Sequence, residues 1–518
     1  MKVETEIAYF NRAKKVRDLW SQIWHAAYNC TFPNKDIYMQ MVAGTQKNGK
    51  SGDMTGQIAA NRFVAMVQNG LTPLFSNWSI LKPGNRIPEA KKSQVTRYLQ
   101  GITDQIFEYL HASNFNTVIT EAYQDLVIGT GAFLCLEGND DKPFIFRAIP
   151  LQNLILDESE SPDIHNVWRE YNDVPVNDIQ LIWKNAKLTA DIKMMMTDGA
   201  NPKINLIEGT TYDLDKDMYT YRVISLHNNE VLLEIKERSS PWIIFRWSRI
   251  NGEAYGRGVG IYALPAMLVL NEMVEYDLAS ASINAFPIYM AYSDGVFNPH
   301  TTKIRPRTII EISRIQGNVP PIMPLPQAGN VQYAQIKIED LRDQVNKIFF
   351  TDPLGQVTDE KMTATEANIR KEESLQERAP SIARLQVELG QKLMTRMLFI
   401  LKKRGLIEDI TVNNREVKIE YLSELVTLEG LKKTNSVAQM AQILQSIVGS
   451  QITIGAYKLP KLPEFIANNL NVPMDIVNDE AEISEAAKQQ QQQAEQQQVQ
   501  LPTPPQGGQQ NQIRGIPG

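Results

Sequence analysis

The feature that most constrains the fold is a short apolar run that leads through three closely spaced glycines into a long helical pattern. Residues 242–247 form the apolar run, Gly256, Gly258 and Gly260 follow it, and the helical pattern begins at Ile261. Glycine adopts backbone conformations that other residues resist. The segment therefore predicts a buried strand that continues through a tight glycine joint into a projecting helix. One side of this helix carries the apolar residues Leu264, Met267, Leu268, Met273, Val274 and Leu278.

The chain before this joint is predicted to form helices first and strands afterwards. Apolar residues at a spacing of three to four predict helices over residues 1–30, 57–70, 90–111 and 116–128. Short apolar runs predict strands over residues 132–136, 144–147, 153–156, 167–171, 211–223 and 230–235, with a helical insertion over 176–193. Helices followed by strands in this order are typical of an α+β fold.

The chain after the joint is predicted to return to helices. Candidate strands lie at residues 288–292, 308–313 and 331–335, and an amphipathic helix follows with Ile338, Leu341, Val345, Ile348 and Phe349 on one face. A polar loop over 351–362 then leads to a helical stretch of about 40 residues that ends at Gly405. Pro380 lacks a backbone donor and clashes one turn back, so we expect it to kink or break this helix. A strand over 417–422 and helices over 431–448 and 462–469 complete the pattern.

Composition excludes several classes of protein. The net charge of −6 gives no sign of a chain that wraps nucleic acid through a generally basic surface. Two cysteines provide no disulfide framework and fit a reducing compartment. No apolar run approaches the ~20 residues of a membrane-spanning helix, so we expect a soluble, intracellular protein when it is made. From Asn478 onward the chain is rich in Glu, Gln and Pro, and this tail is expected to be largely disordered.

One motif points to an enzyme. Residues 44–51 satisfy the phosphate-loop pattern G-x-x-x-x-G-K-S, with Lys50 and Ser51 in the phosphate and magnesium positions, and Asp157 ends an apolar run that could supply a second metal contact. A P-loop ATPase is therefore an open alternative. However, Gly52 and Gly56 delay the helix that should begin at Lys50, and no alternation of strands and helices follows. We interpret the motif as a polar loop that matches by chance.

No other constellation indicates catalysis or a bound cofactor. The five histidines are scattered, neither cysteine has a neighbour suited to a zinc site, and no serine-hydrolase motif is present. Gly256, Gly258 and Gly260 lack the dinucleotide spacing G-x-G-x-x-G. We therefore predict a protein that is not an enzyme and that holds no cofactor or metal.

The residues around the glycine joint resemble the head-to-tail connector (portal) proteins of short-tailed bacteriophages, the podovirus portal family. The resemblance rests on Arg246 and Trp247, residues 255–258, residues 263–265, and Leu270 with Asn271. Three further segments match segments of that family and occur in the same order along the chain, which extends the resemblance over about residues 5–470. They are residues 70–73 with Trp78, residues 112–116 leading to 129–132, and residues 363–366, which also form a helix-capping pattern.

The resemblance implies a portal-type fold with an α/β wing, a two-helix stem, a small β-containing clip, a long kinked helix and a helical crown. Gly256, Gly258, Gly260 and Pro380 would act as structural hinges. The implied parts are the wing at 1–257 and 363–430, stem helices at 258–286 and 337–350, the clip at 287–336, the tunnel loop at 351–362, the crown at 431–477 and the tail at 478–518.

The resemblance also implies a dodecameric ring at one capsid vertex, through which the genome is packaged and ejected. Double-stranded DNA would pass without sequence-specific contacts. The implied partners are a terminase motor, tail adaptor and nozzle proteins, the major capsid or a scaffolding protein, and internal ejection proteins, with no membrane. The expected location is the virion, and the host cytoplasm during assembly. A capsid scaffold protein without a channel is the alternative.

Two sets of residues are candidate sites under this resemblance. Cations in the clip are expected to contact the motor or tail, although a merely soluble rim is the alternative: Lys303, Arg305, Arg307 and Arg314. Polar residues of mixed charge in the tunnel loop are expected to guide DNA weakly, although the loop could instead face a neighbouring subunit: Gln356, Thr358, Asp359, Glu360 and Lys361. Arg257 is expected to be an ion-pair partner, and Trp247 a core residue.

Overall fold

A computed structural model shows two compact units, Met1–Ser79 with Ile102–Val412, and Ile80–Gly101 with Asn413–Gly518. It describes residues 2–35, 52–84, 86–157, 163–197, 202–285, 289–291, 322–324, 331–351, 364–407, 417–422, 424–448 and 461–470. These residues combine helices with two larger antiparallel sheets, which confirms the predicted α+β class.

The predicted helices are present, most of them with small shifts at their ends. The helices expected from residues 337 and 431 begin six and seven residues earlier, and the expected insertion over 176–193 contains two short helices. In the first unit they are α1 (Val3–Thr31), α2 (Thr55–Leu71), α4 (Phe115–Ile128), α5 (Ile179–Ile182), α6 (Ala190–Thr197), α7 (Val259–Ala285), α8 (Val331–Ile348), α9 (Ala364–Leu385) and α10 (Lys392–Lys403). Helix α3 (Glu89–His111) begins in the second unit and ends in the first, and α11 (Glu424–Val448) and α12 (Leu462–Leu470) belong to the second unit.

The larger sheet of the first unit is an antiparallel meander in the order β4-β5-β6-β7-β8. Its strands are β4 (Leu154–Leu156), β5 (Val167–Pro175), β6 (Lys203–Asp213), β7 (Met218–Ser225) and β8 (Glu230–Glu237). Phe10 and Ala13 of α1 pack on one face, against Ile155, Trp168 and Ile207. The insertion that contains α5 and α6 covers the other face, through Val176, Ile179, Trp183 and Ile192.

The single strand predicted over residues 211–223 is wrong. Two strands, β6 and β7, occupy this region and pair with each other through a turn in which Asp217 has a φ of +49°. Aspartate tolerates this left-handed conformation better than most residues, so the acidic run at 213–217 can reverse the chain. The apolar residues on both sides made the two strands look like one.

The second sheet of this unit has three strands, β2 (Thr130–Glu137), β3 (Phe144–Ala148) and β9 (Trp242–Arg246). Its order is β3-β2-β9, and both pairs are antiparallel. A cluster of aromatic rings joins it to α4, in which Phe115 packs edge-on against Phe133 and Phe146. Trp247, directly after β9, is buried as predicted.

The long helical stretch after residue 363 is present, but Pro380 does not break it. Helix α9 continues through Pro380 to Leu385. The irregularity lies further on, in a π-helical segment at Gln386–Gln391 that connects α9 to α10. Pro380 lies on the exposed side of the helix, where water can serve the carbonyl that a proline leaves without a donor. Gly405, with a φ of +70°, ends α10 as expected.

The candidate strand at residues 331–335 is also wrong, because these residues form the first turns of α8. Their alternating pattern fits a strand, but the helix packs along α7, and tertiary packing of this kind overrides local propensity. Strand β10 (Tyr289–Ala291) lies within the predicted strand 288–292 and pairs with β11 (Ile322–Pro324), which was not predicted. The candidate strand 308–313 lies outside the described residues.

The second unit is smaller. Strands β1 (Ser79–Pro83) and β12 (Val417–Tyr421) form a two-stranded sheet, in which Lys82 and Glu420 are 3.2 Å apart. Helices α11 and α12 pack closely at Gly430, where a Cβ atom would overlap the Asn469 carbonyl.

The contact between α2 and α7 generates a test of this packing. A Cβ atom at Gly56 would lie 2.5 Å from the Met267 sulfur and 2.8 Å from the Cys30 carbonyl oxygen. We expect Gly56→Ala to destabilise the protein by about 1–3 kcal/mol, because a methyl group there forces the packed atoms apart. Urea-induced unfolding followed by tryptophan fluorescence measures the change.

Gly70 provides the matched control, because it lies in the same helix and a Cβ atom added to it would have no other atom within 4 Å. Gly70→Ala should leave the protein as stable or raise its stability by up to about 1 kcal/mol, through the higher helix propensity of alanine. Equal effects of the two substitutions would contradict the close packing of α2 on α7.

Candidate functional site

The glycine joint, residues 255–260, is where the chain leaves β9 and enters α7 against the C-terminal end of α4. The Gly258 amide donates to the Ile128 carbonyl at 2.8 Å, and the Trp247 amide donates to the Gly129 carbonyl at 3.0 Å. The Gly256 amide donates to the Thr130 hydroxyl at 2.8 Å. The Ile128 carbonyl ends α4 and has no partner within its own helix, so the bond from Gly258 satisfies it.

The three glycines are required for close approach and not for unusual backbone angles. None of them has a positive φ. A Cβ atom at Gly256 would lie 2.5 Å from the Gly129 carbonyl oxygen, and one at Gly258 would overlap the Val127 carbonyl. Gly260 is less tight, at 3.0 Å from the Val127 oxygen. The predicted hinge is therefore a place where two backbones touch, and the residue with a positive φ, +158°, is Gly129 on the opposite side.

Tyr255 attaches the joint to the edge of the five-stranded sheet. Its hydroxyl donates to the Leu154 carbonyl at 3.0 Å and accepts the Leu156 amide at 3.1 Å, so it completes the free edge of β4. The Tyr255 ring is fully buried against Trp24 and Trp20 of α1. The joint therefore contacts α1, α4 and both sheets of the first unit.

Arg246, at the end of β9, holds the π-helical segment against the joint. Its guanidinium contacts the Glu388 carboxylate at 2.6 and 3.2 Å, and its backbone amide donates to the same carboxylate at 2.8 Å. It also donates to the Ala254 carbonyl at 3.2 Å. Both side chains are largely buried, at 3% and 12% exposed. This pair is more buried than the Arg257–Glu253 and Arg342–Asp53 pairs of the same region.

Arg257 forms an ion pair, as predicted. Its guanidinium contacts Glu253 at 2.8 Å and lies 4.9 Å above the centre of the Trp20 ring. The Glu253 contact raises the pKa of Arg257. The partner is within the same chain.

Helices α7 and α8 adjoin at their ends nearest the joint. Phe349, after α8, is fully buried and packs edge-on against Phe63 of α2, and Phe350 packs against Trp247. The chain therefore leaves the sheets on α7 and returns to the same place on α8.

Asp53 connects the two helices further along. Its carboxylate accepts Arg342 of α8 at 2.8 Å and the Thr55 amide at 2.7 Å, while its amide donates to Asn271 of α7 at 3.0 Å. Burial opposes ionisation, but the hydrogen bonds from Thr55 and Arg342 outweigh it and lower the pKa of Asp53. Ionised Asp53 therefore favours the folded state, and this contribution is lost as pH falls through the lowered pKa.

Helix α7 is buried only near the joint. Leu264 and Met267 are in the core as expected, and so is Leu270, which was not assigned to that side, whereas Leu268 and Leu278 are about half exposed or more. The prediction of one continuous apolar side is thus wrong, because Leu268 lies near the joint on the exposed face of the helix, and Leu278 lies on the outer part, where none of the described residues is buried. Its exposed face also includes Tyr262, Val269 and Tyr276, which are spaced seven residues apart.

The remaining predicted site residues belong to segments other than those that the structure describes. The clip residues Lys303, Arg305, Arg307 and Arg314 lie outside the described residues, as do the tunnel-loop residues Gln356, Thr358, Asp359, Glu360 and Lys361. The phosphate-loop match at 44–51 lies outside them as well.

Asp157, the proposed metal partner of the phosphate loop, has a different role in the structure. It follows β4, an antiparallel edge strand, and accepts Arg12 at 2.7 Å and Asn166 at 3.0 Å. A phosphate loop belongs to a parallel sheet, and both larger sheets of the described chain are antiparallel throughout. Within the described residues no group of acids, cysteines and histidines could hold a metal ion, and no helix there is long and apolar enough to cross a membrane.

The comparison with family models agrees with the resemblance seen in the sequence. A family model described as bacteriophage head to tail connecting protein matches residues 4–477. No curated protein matches the chain. A chain from the virion of a native gene transfer agent (GTA) particle is 10% identical, with a TM-score of 0.36, over 78% of this chain and 91% of that chain. A chain from the neck of an empty GTA particle, computed with C6 symmetry, has the same identity and TM-score over 77% and 91%.

The buried pair of Arg246 and Glu388 generates a prediction about the joint. Glu388→Leu should destabilise the protein by about 3–5 kcal/mol, because it removes one partner of a buried ion pair. Glu253→Leu removes the partner of the more exposed Arg257 and should cost less than about 1 kcal/mol. Urea unfolding of both variants measures the difference. A double variant, Arg246→Met with Glu388→Leu, should recover much of the loss, and a double variant less stable than Glu388→Leu would refute this account.

Proposed function

The chain belongs to the family of bacteriophage head to tail connecting proteins, and from this membership we propose that it is a portal subunit of a short-tailed phage. Copies of it would form a dodecameric ring at one capsid vertex, where the head meets the tail. The observation that carries the proposal is the extent of the family match, residues 4–477, which includes nearly every described element. A match of this length spans both compact units of the chain and not one of them alone.

The arrangement of α7 and α8 supports this proposal. A ring subunit needs a body and a part that reaches its neighbours, and a heterologous contact repeated with a closing rotation gives a ring. We assign α7 and α8 to the stem, and residues 287–330 between them to the clip. The second stem helix then begins at Val331, six residues before the expected position at Lys337. The exposed Tyr262, Val269 and Tyr276 would contact neighbouring stems.

The other parts follow from the same assignment. Both sheets of the first unit, with α1, α2 and α4, would form the wing together with α9, the π-helical segment and α10. Residues 351–362 would be the tunnel loop, residues 431–477 the crown and residues 478–518 a tail. The glycine joint would then be the point at which the stem is attached to the wing.

The proposed ring would serve as a channel for double-stranded DNA during packaging and ejection. Helix α7 carries Glu272, Glu275 and Asp277 and no basic residue, which suits a surface that must not bind phosphates. The clip would dock a terminase motor and later the tail adaptor and nozzle proteins. The capsid or scaffolding protein and internal ejection proteins would contact the ring from the head, and the completed ring would reside in the virion.

The head-to-tail connecting family is a structural one, so we propose that this chain hydrolyses no nucleotide. The energy for packaging would come from the separate motor. The antiparallel sheets and the pairing of Asp157 with Arg12 support this view against the phosphate-loop alternative.

Electron microscopy tests the proposed assembly directly. Negatively stained purified protein should show rings with a central hole, and a variant that ends at Asn478 should form the same rings, because the tail has too little apolar area to offset the ordering of its backbone. Particles without a hole would instead favour a scaffold protein.

Purified rings should show no ATP hydrolysis above that of Lys50→Ala. Hydrolysis that Lys50→Ala abolishes would establish the ATPase.

Charge changes in the tunnel loop and the clip should separate two steps of packaging. Asp359→Lys with Glu360→Lys should slow or stall DNA passage, most strongly at low salt, because added cations bind phosphates. Packaging by the loop variant at the wild-type rate at every salt concentration would exclude the loop from the channel.

Arg305→Glu with Arg307→Glu should weaken docking of the motor or the tail adaptor. Wild-type docking by this clip variant would exclude those arginines from the contact. Both the loop variant and the clip variant should still form rings.

A further inference from the structure

A group of charged and aromatic side chains lies on the face of the five-stranded sheet that the α5–α6 insertion covers. Glu208 is its centre and is fully buried. Its carboxylate accepts hydrogen bonds from the hydroxyls of Tyr171, at 2.9 Å, and Tyr221, and the Trp183 indole contacts it at 3.4 Å. These neutral donors occupy both carboxylate oxygens. Glu208 therefore has few lone pairs left to accept a hydrogen bond from a cation, although its negative charge still acts on nearby arginines.

Two arginines adjoin this carboxylate, and neither is paired closely with it. Arg147 approaches Glu208 at 3.9 Å, and its hydrogen bonds to the Tyr171 hydroxyl and the Ile182 carbonyl are long, at 3.4 and 3.5 Å. Burial disfavours the charge of Arg147, but Tyr171 and Glu208 outweigh it and raise its pKa. Arg147 thus stays charged while most of its hydrogen-bonding capacity is poorly used.

Arg169 has still fewer polar contacts. Its guanidinium lies 4.3 Å above the centre of the Tyr171 ring. The Nε and Nη1 atoms are buried and have no hydrogen-bond partner in the described part of the chain. The neighbouring acid, Glu170, is engaged elsewhere, by Lys14 at 2.6 Å. Buried donors without acceptors are unfavourable, and a guanidinium over an aromatic ring still presents its edge to an acceptor.

We propose that Arg147 and Arg169 form a binding site for a single oxyanion group, a carboxylate or a phosphate, beside Tyr171. Arg147 lies 3.9 Å from the Glu208 carboxylate, and Arg169 is the cross-strand neighbour of Glu208, so two cations stand beside one anion and leave an excess of positive charge. Planar guanidinium donors match the paired oxygens of carboxylates and phosphates. Part of each arginine side chain reaches the surface, and this exposed part is where an anion would approach the pair. The site does not depend on the proposed connector role.

Inorganic phosphate and acetate are the probes. At constant ionic strength set with potassium chloride, phosphate or acetate should raise the melting temperature of the protein with a saturable dependence on concentration. Arg169→Met keeps the aliphatic part of the side chain and should shift the midpoint of this dependence at least tenfold. Arg238→Met is the control, because Arg238 is an exposed arginine on the same unit, and its midpoint should match the wild type.

Several results would overturn the proposal. They are a response that does not saturate, an unchanged midpoint in Arg169→Met, and an equal shift in Arg238→Met. If Arg169→Met does not fold, Arg169→Lys takes its place, because lysine keeps the charge and lacks the planar pair of donors. Its midpoint should rise at least threefold, and an unchanged midpoint would again reject the site.

The same titration distinguishes two sources of the anion. If an acidic side chain of a second copy fills the site, unassembled chains should respond to phosphate and assembled oligomers should not. If the site takes a free anion, both forms should respond with similar midpoints. No response in either form rejects the site.

Discussion

The first unit depends on one close contact between two stretches of backbone. Residues 256–260 lie against the end of α4 so tightly that a side chain at Gly256 or Gly258 would overlap the carbonyls of Val127 or Gly129. This contact is fixed further by hydrogen bonds that Trp247, Gly256 and Gly258 donate to residues 128–130. Because β9, α7, α4 and β2 all begin or end within a few residues of it, displacement at this point would change the direction of α7 and the register of the three-stranded sheet together.

Buried ion pairs attach the long helical stretch to this centre. Arg246 binds Glu388 of the π-helical segment, and Arg396 of α10 binds Glu237 at 2.6 Å and the Cys135 carbonyl at 3.1 Å. Burial opposes the charge of Glu237, but Arg396 and Lys403 outweigh it and lower its pKa. Buried pairs of this kind add little net stability over apolar packing, but each charge requires its partner. They therefore specify which side of the long helix faces the two sheets.

Most of the fold could be predicted because its helices have a strong apolar spacing, as residues 116–128 do, and because its core strands are short apolar runs. Local patterns failed where the chain turned on polar residues, at 213–217, and where a strand-like pattern became helical by packing, at 331–335. The sequence pointed to the glycines of the joint but not to the reason why glycine is needed there, because a sequence does not show which other segment of backbone packs against them. The pairing of Arg246 with Glu388, 142 residues apart, left no local signal at all.

The charges of α7 fit the proposed channel by a simple argument about range. Exposed charges act over a Debye length, about 8 Å at physiological ionic strength, so Glu272, Glu275 and Asp277 would repel a duplex only when it comes near the wall. Repeated around a ring, such short-range repulsion would keep DNA near the axis without holding it at any position. The apolar Tyr262 and Val269 on the same helix would have no place beside DNA and would instead pack against neighbouring copies. Apolar contacts between subunits near the joint and acids further along would thus let one helix both build the ring and leave its passage open.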